Sequence, residues 1–160
     1  MVMATPSAYL ETSFISYLTS RPRRDVIVRG NQKMTRQWWE NCRQDYALCA
    51  SQMVIAEAEQ GDPKAASERL LILRPVKILA TTLEALSLAE ELVQSSAIPK
   101  KAVRDATHLA VAASHGIKYL LTWNCTHLAN PRLRQRIDQV CQENGFRAPV
   151  ICTPAQLLGS

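Results

Sequence analysis

Short apolar runs alternate along the chain with longer stretches whose apolar positions recur at helical spacing. The short runs read as buried strands: Ala8-Tyr9-Leu10, Tyr46–Ala50, Val76–Leu79, Tyr119–Thr122 and Pro149–Cys152. Between them the periodicity predicts helices over Phe14–Leu18, Thr35–Arg43, Gln52–Gln60, Lys64–Leu73, Leu83–Gln94, Lys100–His115 and Pro131–Glu143. Several of these helices carry their own punctuation. Thr12 or Ser13 can cap the first, and Asp62-Pro63 reads as the cap and opening residue of the fourth. Pro99 opens the helix that Gly116 stops, and the basic loop Arg21-Pro22-Arg23-Arg24 ends the first one. Strands alternating with helices predict an α/β fold with a parallel sheet covered on both faces. Trp38 and Trp39 are neighbours on one helix, roughly 100° apart around its axis, so they cannot share one narrow core stripe. Either one ring anchors a partner or both are packed.

The bulk numbers narrow the class. A chain of 160 residues, 47% of them hydrophobic, suits one globular domain over residues 1–160. The five cysteines form no CxxC pair, and Cys49 and Cys152 lie in apolar runs as small hydrophobes. That usage predicts a reducing, cytoplasmic setting. Cys125 and His127 have no further ligands at zinc spacing. The opening MVMATPSAYLETSF lacks the basic-then-apolar order of a signal peptide. No run approaches the roughly 20 apolar residues of a membrane span, so no membrane partner is expected. The absence of a glycine-rich loop after a strand argues against a dinucleotide-dependent oxidoreductase. A net charge of +5 tilts the choice of partner toward polyanions.

Candidate chemistry follows from where the acids fall on this scheme. Glu11 ends the first strand, Glu57 lies on the helix after the second, and Asp105 falls in the early turns of the helix before the fourth. Asn124 lies just beyond that fourth strand, and a sheet of this type presents its ligands at the carboxyl ends of its strands. Carboxylates gathered at one rim repel each other, which makes sense chiefly around a cation. Oxygen-only ligands suit a hard ion, Mg²⁺ or Mn²⁺, which can activate water and stabilise charge on a phosphate. Each acid alone also has a plain reading: Asp105 near a helix start favours the helix dipole, and Glu57 can be a solvated helix glutamate. His108 shares a helical face with Asp105, where it can hold a phosphate, position Asp105, or serve as a partly buried structural group. His127 either caps a turn or joins the site, and His115 is expected as a partner for the dipole at its helix C-terminus. Arg21, Arg23 and Arg24, with Arg132, Arg134 and Arg136, offer phosphate contacts or a solvated basic surface.

The segments YLETSFISYL, SQMVIAEAEQGD and RDATHLAVAASHGIKYLLTWNCTHL, with the closing strand before TPAQLL, resemble the PIN-domain nucleases. The likeness is strongest to VapC-like toxins of type II toxin–antitoxin pairs and runs over nearly the whole chain. It implies a PIN-like α/β/α sandwich on a parallel sheet, about four to five strands wide in the α/β scheme above. It also implies an Mg²⁺- or Mn²⁺-dependent endoribonuclease acting on single-stranded RNA, with a small antitoxin as partner and a homodimer as a common state. Carried over residue by residue, Glu11, Glu57 and Asp105 become metal ligands, and Asn124 orients water or the scissile phosphate. Thr12, Ser13, His108, Thr122 and the Arg21–Arg24 arginines are left for substrate. Two positions depart from the family pattern. Glu11 stands where Asp is usual, and Asn124 stands at the fourth acidic position, which puts a second metal in doubt. Those departures also support an alternative, a PIN scaffold of weak or no activity that binds RNA or protein. A DNA-directed nuclease is disfavoured by the lack of long insertions.

Overall fold

The computed structural model describes residues 4–158. Five strands form one all-parallel sheet in the order β3-β2-β1-β4-β5. They are β1 (Ser7–Leu10), β2 (Ala47–Ser51), β3 (Lys77–Leu79), β4 (Tyr119–Leu121) and β5 (Val150–Cys152). Seven α-helices accompany them: α1 (Thr12–Thr19), α2 (Val26–Cys42), α3 (Gln52–Ala58), α4 (Pro63–Leu73), α5 (Leu83–Gln94), α6 (Val103–Ser114) and α7 (Pro131–Glu143). The expected α/β class and parallel sheet are what the chain adopts.

Strand β1 is central, and Ala8, Tyr9 and Leu10 are each 0% exposed. Tyr9 pairs with Cys49 on one side and Leu120 on the other, so β1 aligns β2 with β4. The chain builds outward from β1 through β2 to β3, then crosses back to lay β4 on the opposite flank of β1. The crevice beyond the carboxyl ends at such a reversal is where α/β sheets bind ligands. Residues Glu11 and Thr122 follow β1 and β4 directly, so they face each other across that crevice.

Most boundaries follow from local chemistry. Asp62 accepts from Ala65 N at 3.0 Å, with Pro63 at the first helical position, as read from the sequence. Gly116 adopts φ +68° and ends α6 in the left-handed conformation that favours glycine. Two helices differ from expectation. Helix α2 begins at Val26 rather than Thr35, capped by Asp25 on Val28 N at 3.0 Å. Its first turns hold β-branched residues and Gly30, all poor helix formers, and Val26 and Ile27 are 71% and 75% exposed. Those turns show no core-facing period to betray a helix. The segment after Pro99 starts as a 3-10 turn, Lys100–Ala102, before α6 begins at Val103.

The tryptophans are both packed. Trp38 is fully buried edge-on to Phe14 at 5.5 Å, while Trp39 packs partly buried under the Arg43 guanidinium at 4.9 Å. His115 closes α6 but bonds the Ala80 carbonyl at 2.8 Å, tying α6 to the segment after β3 rather than to its own last turn. All five cysteines are free. Burial pushes the Cys49, Cys141 and Cys152 thiols up to about 12, about 11 and about 12. Among the described residues no helix is long and apolar enough to cross a membrane.

Candidate metal centre

The carboxyl edge of the sheet is built from its central strand outward. Glu11 ends β1, caps α1 through Ser13 N at 3.1 Å, and is 6% exposed. A carboxylate so deep needs donors, and its Oε1 has two: Ser13 Oγ at 2.5 Å and Thr122 Oγ1 at 2.6 Å. Ser13 Oγ also accepts from Trp123 N at 2.8 Å, and Thr122 Oγ1 accepts from Asn124 N at 2.9 Å. Start of α1 and end of β4 are thereby laced together around the Glu11 carboxylate. The Trp123 indole secures the same corner by donating to Thr35 Oγ1 at 2.7 Å and stacking on Tyr17 at 5.4 Å.

Helix α3 brings the second acid. Glu57 Oε1 accepts from Thr12 Oγ1 at 2.6 Å and from His108 Nε2 at 2.7 Å. Burial opposes its charge, yet the hydrogen bond and electrostatic attraction from His108, the Thr12 hydrogen bond and the Arg104 charge together hold the carboxyl below its usual range. Helix α6 brings the third acid in its first turn. Burial, and then the charge of Glu11, lift Asp105 above the usual carboxylate range against the hydrogen bond from Asn124. The Asn124 oxygen is itself occupied, accepting from Thr126 N at 3.2 Å and His127 N at 3.0 Å. Asn124 thus ties a turn with its oxygen, and its amide favours the charge on Asp105.

This arrangement fits a cation. Ligand atoms of Glu11, Glu57 and His108 all lie within 4.8 Å of one another. Asp105, whose proton affinity is raised by burial and then by the Glu11 charge, stands beside that cluster rather than within it. A divalent ion would relieve the repulsion among these carboxylates.

Other expected site residues are placed differently. Thr12, Ser13 and Thr122 direct their hydroxyls at the acids: Thr12 at Glu57, Ser13 and Thr122 at Glu11. His108 is 1% exposed with both ring nitrogens taken, so it reaches neither a phosphate nor Asp105 by hydrogen bond. Arg21, Arg23 and Arg24 lie beyond the far end of α1, a helix length of roughly 12 Å from the rim. Their loop is held by the buried Gln32, which donates to Arg21 O at 3.1 Å and accepts from Arg23 N at 3.0 Å. Arg134 pairs with Asp138 at 3.0 Å and, with Lys118 and Arg147, lines a 660 Å³ cavity near the amino ends of β4 and β5. Arg136 bonds Ser95 O at 3.3 Å. Sequence reasoning missed Tyr9 and Ser51, which stand behind His108. The signal available was a polar atom in an otherwise apolar strand and a serine at a strand-to-helix junction.

Solved structures of similar fold share little sequence. VapC20 of Mycobacterium tuberculosis, described as a sarcin–ricin loop cleaving toxin, is 19% identical with a TM-score of 0.59, over 75% of this chain and 92% of that one. A toxin–antitoxin complex from Klebsiella pneumoniae contains a chain 18% identical with a TM-score of 0.59, over 92% of this chain and 98% of that one. VapBC2 of Rickettsia felis, bound to promoter DNA, gives 15% identity and a TM-score of 0.57, over 91% and 97%. No curated protein matches the chain. The PIN-domain family model matches residues 8–124, a stretch that runs from β1 through all three acids to Asn124, and the chain belongs to the PIN-domain family.

Proposed function

We propose that this protein is a divalent-metal-dependent endoribonuclease that cleaves single-stranded RNA as the toxin of a toxin–antitoxin pair. The observation that carries the reading is the meeting of Glu11 and Glu57 in one cluster of potential ligand atoms at the β1–β4 crevice, with Asp105 beside it and raised above the usual carboxylate range by burial and then by the Glu11 charge. Such a set is costly for a fold to keep unless a cation occupies it. Glu11, Glu57 and Asp105 would hold the ion, which when bound supplies Lewis-acid activation of water and of the scissile phosphate. Thr12, Ser13 and Thr122 orient the carboxylates, and the Asn124 amide positions Asp105. RNA as substrate is supported by the fold shared with a toxin described as cutting the sarcin–ricin loop. A small antitoxin is supported by the complexes in which similar chains occur. Mg²⁺ or Mn²⁺, a cytoplasmic setting, a single PIN unit over the whole chain and a homodimer complete the proposal.

The test is cleavage of end-labelled single-stranded RNA by purified protein with Mg²⁺, Mn²⁺ or EDTA, beside Asp105→Asn. Metal-dependent cutting that the variant loses supports the assignment; undiminished cutting by Asp105→Asn refutes it. A second reading, a binding module that does not cut, is favoured by Asn124, whose oxygen is spent on Thr126 and His127. Folded, antitoxin-free protein that cuts none of a varied set of RNAs decides for that module.

A further inference from the structure

Behind the acids lies a buried file of hydrogen bonds. Ser51 Oγ and Tyr9 Oη are 2.7 Å apart, Tyr9 Oη and His108 Nδ1 are 2.7 Å apart, and His108 Nε2 meets Glu57 Oε1 at 2.7 Å. Tyr9 and Ser51 are each 0% exposed and His108 is 1%, so water reaches none of the bonds among these three side chains. The Tyr9 and His108 rings meet edge to face at 5.8 Å, which leaves the imidazole little room to turn.

The direction of each bond follows from counting donors. Ser51 Oγ accepts from Val54 N at 3.4 Å, and among the described residues Tyr9 Oη is its one side-chain partner. Its hydroxyl hydrogen therefore goes to Tyr9, since a buried donor is rarely left unpaired. Tyr9, receiving that hydrogen, spends its own on His108 Nδ1. Nδ1 is then an acceptor, and the ring proton lies on Nε2, aimed at Glu57. Glu57 Oε1 accepts this bond and the one from Thr12, while Oε2 has no partner among the described residues.

We infer that Tyr9 is a positioning residue for the metal centre: oriented by Ser51, it locks His108 in the Nε2–H tautomer and ring orientation that pin Glu57 Oε1, leaving Oε2 for a divalent cation. This inference rests on the metal-site reading above. Such outer contacts orient ligands, and losing one typically weakens metal binding by about 10- to 100-fold.

The experiment is Mn²⁺ titration calorimetry of the RNA-free wild type, Tyr9→Phe and Ser51→Ala, with long-range ¹H–¹⁵N NMR of the His108 ring in metal-free protein. Wild type should show a protonated Nε2 and a bare, hydrogen-bonded Nδ1. Tyr9→Phe should shift the Nδ1 resonance and weaken Mn²⁺ binding by about tenfold or more at temperatures well below its melting point. A merely structural tyrosine would lower the melting temperature and shift Nδ1 but leave the Mn²⁺ affinity unchanged. If Tyr9→Phe does not fold, Ser51→Ala decides, with a smaller loss of affinity and a smaller Nδ1 shift, since Tyr9 keeps its bond to His108. Wild-type His108 protonated on Nδ1, or folded variants with wild-type Mn²⁺ affinity, overturns the inference. A wild type that binds no Mn²⁺ refutes the metal reading, and the inference with it. The His108 nitrogens then still show whether the hydrogen-bond file exists, so the two failures are distinguishable.

Discussion

Exchanging Asp105 for Asn should reverse its effect on stability when metal is added. The substitution keeps the shape and removes a charge that burial and Glu11 disfavour, so the metal-free variant should melt higher than wild type. With metal the order changes. A cation at about 100 times its Kd stabilises wild type by about 2.7 kcal/mol. For 160 residues, at about 2.1 cal/mol/K each, the unfolding entropy is about 0.34 kcal/mol/K, so the gain is about 8 °C. Loss of a carboxylate ligand should weaken the site by at least about 100-fold, the upper end for an outer contact. At the same Mn²⁺ concentration the variant then gains only about 0.4 kcal/mol, or about 1 °C. Thermal melts of both proteins with EDTA and with Mn²⁺ provide the measurement. Equal Mn²⁺ shifts in the two proteins would refute the assignment of Asp105 to the ion.

Three further outcomes follow from the same geometry. The metal-free melting advantage of Asp105→Asn should be greatest near neutral pH. It should shrink as pH falls through the raised Asp105 pKa, because protonation of wild type removes the same buried charge; a pH-independent difference would refute the linkage. Asn124→Asp removes the donor to Asp105 and adds a like charge. It should cost about 1–3 kcal/mol without metal, and calorimetric melts should show a larger Mn²⁺ gain than wild type. Native alkylation followed by mass spectrometry should label exposed Cys125 first and spare Cys49, Cys141 and Cys152, which are buried and held as thiols.

The fold was legible because its evidence is local. Strand runs, caps such as Asp62 and the stop at Gly116 are written within a few residues of where they act. The start of α2 was not, because its exposed Val26 and Ile27 oppose both the period and the propensity of a helix. The acids could be assigned to one edge from the strand–helix order alone. Their partners could not, since a hydroxyl such as Thr122 reads equally as a substrate contact or a prop for Glu11 until distances are known. The pairing of His108 with Tyr9 spans 99 residues and obeys no sequence period. The arginines illustrate the converse, for net charge says nothing about which edge of a sheet carries it, and Arg134 lies at the opposite one.

The centre is tied across the chain: Glu11 to Thr122 over 111 residues, Thr12 to Glu57 over 45 and Glu57 to His108 over 51. A polypeptide emerging from the ribosome cannot close this site until β4 and Trp123 have left the exit tunnel and paired with β1, a long-range and therefore slow event. A nascent chain stalled short of Thr122 lacks one of the donors that hold Glu11 and, on the reading proposed above, is harmless to the RNA of the machine making it.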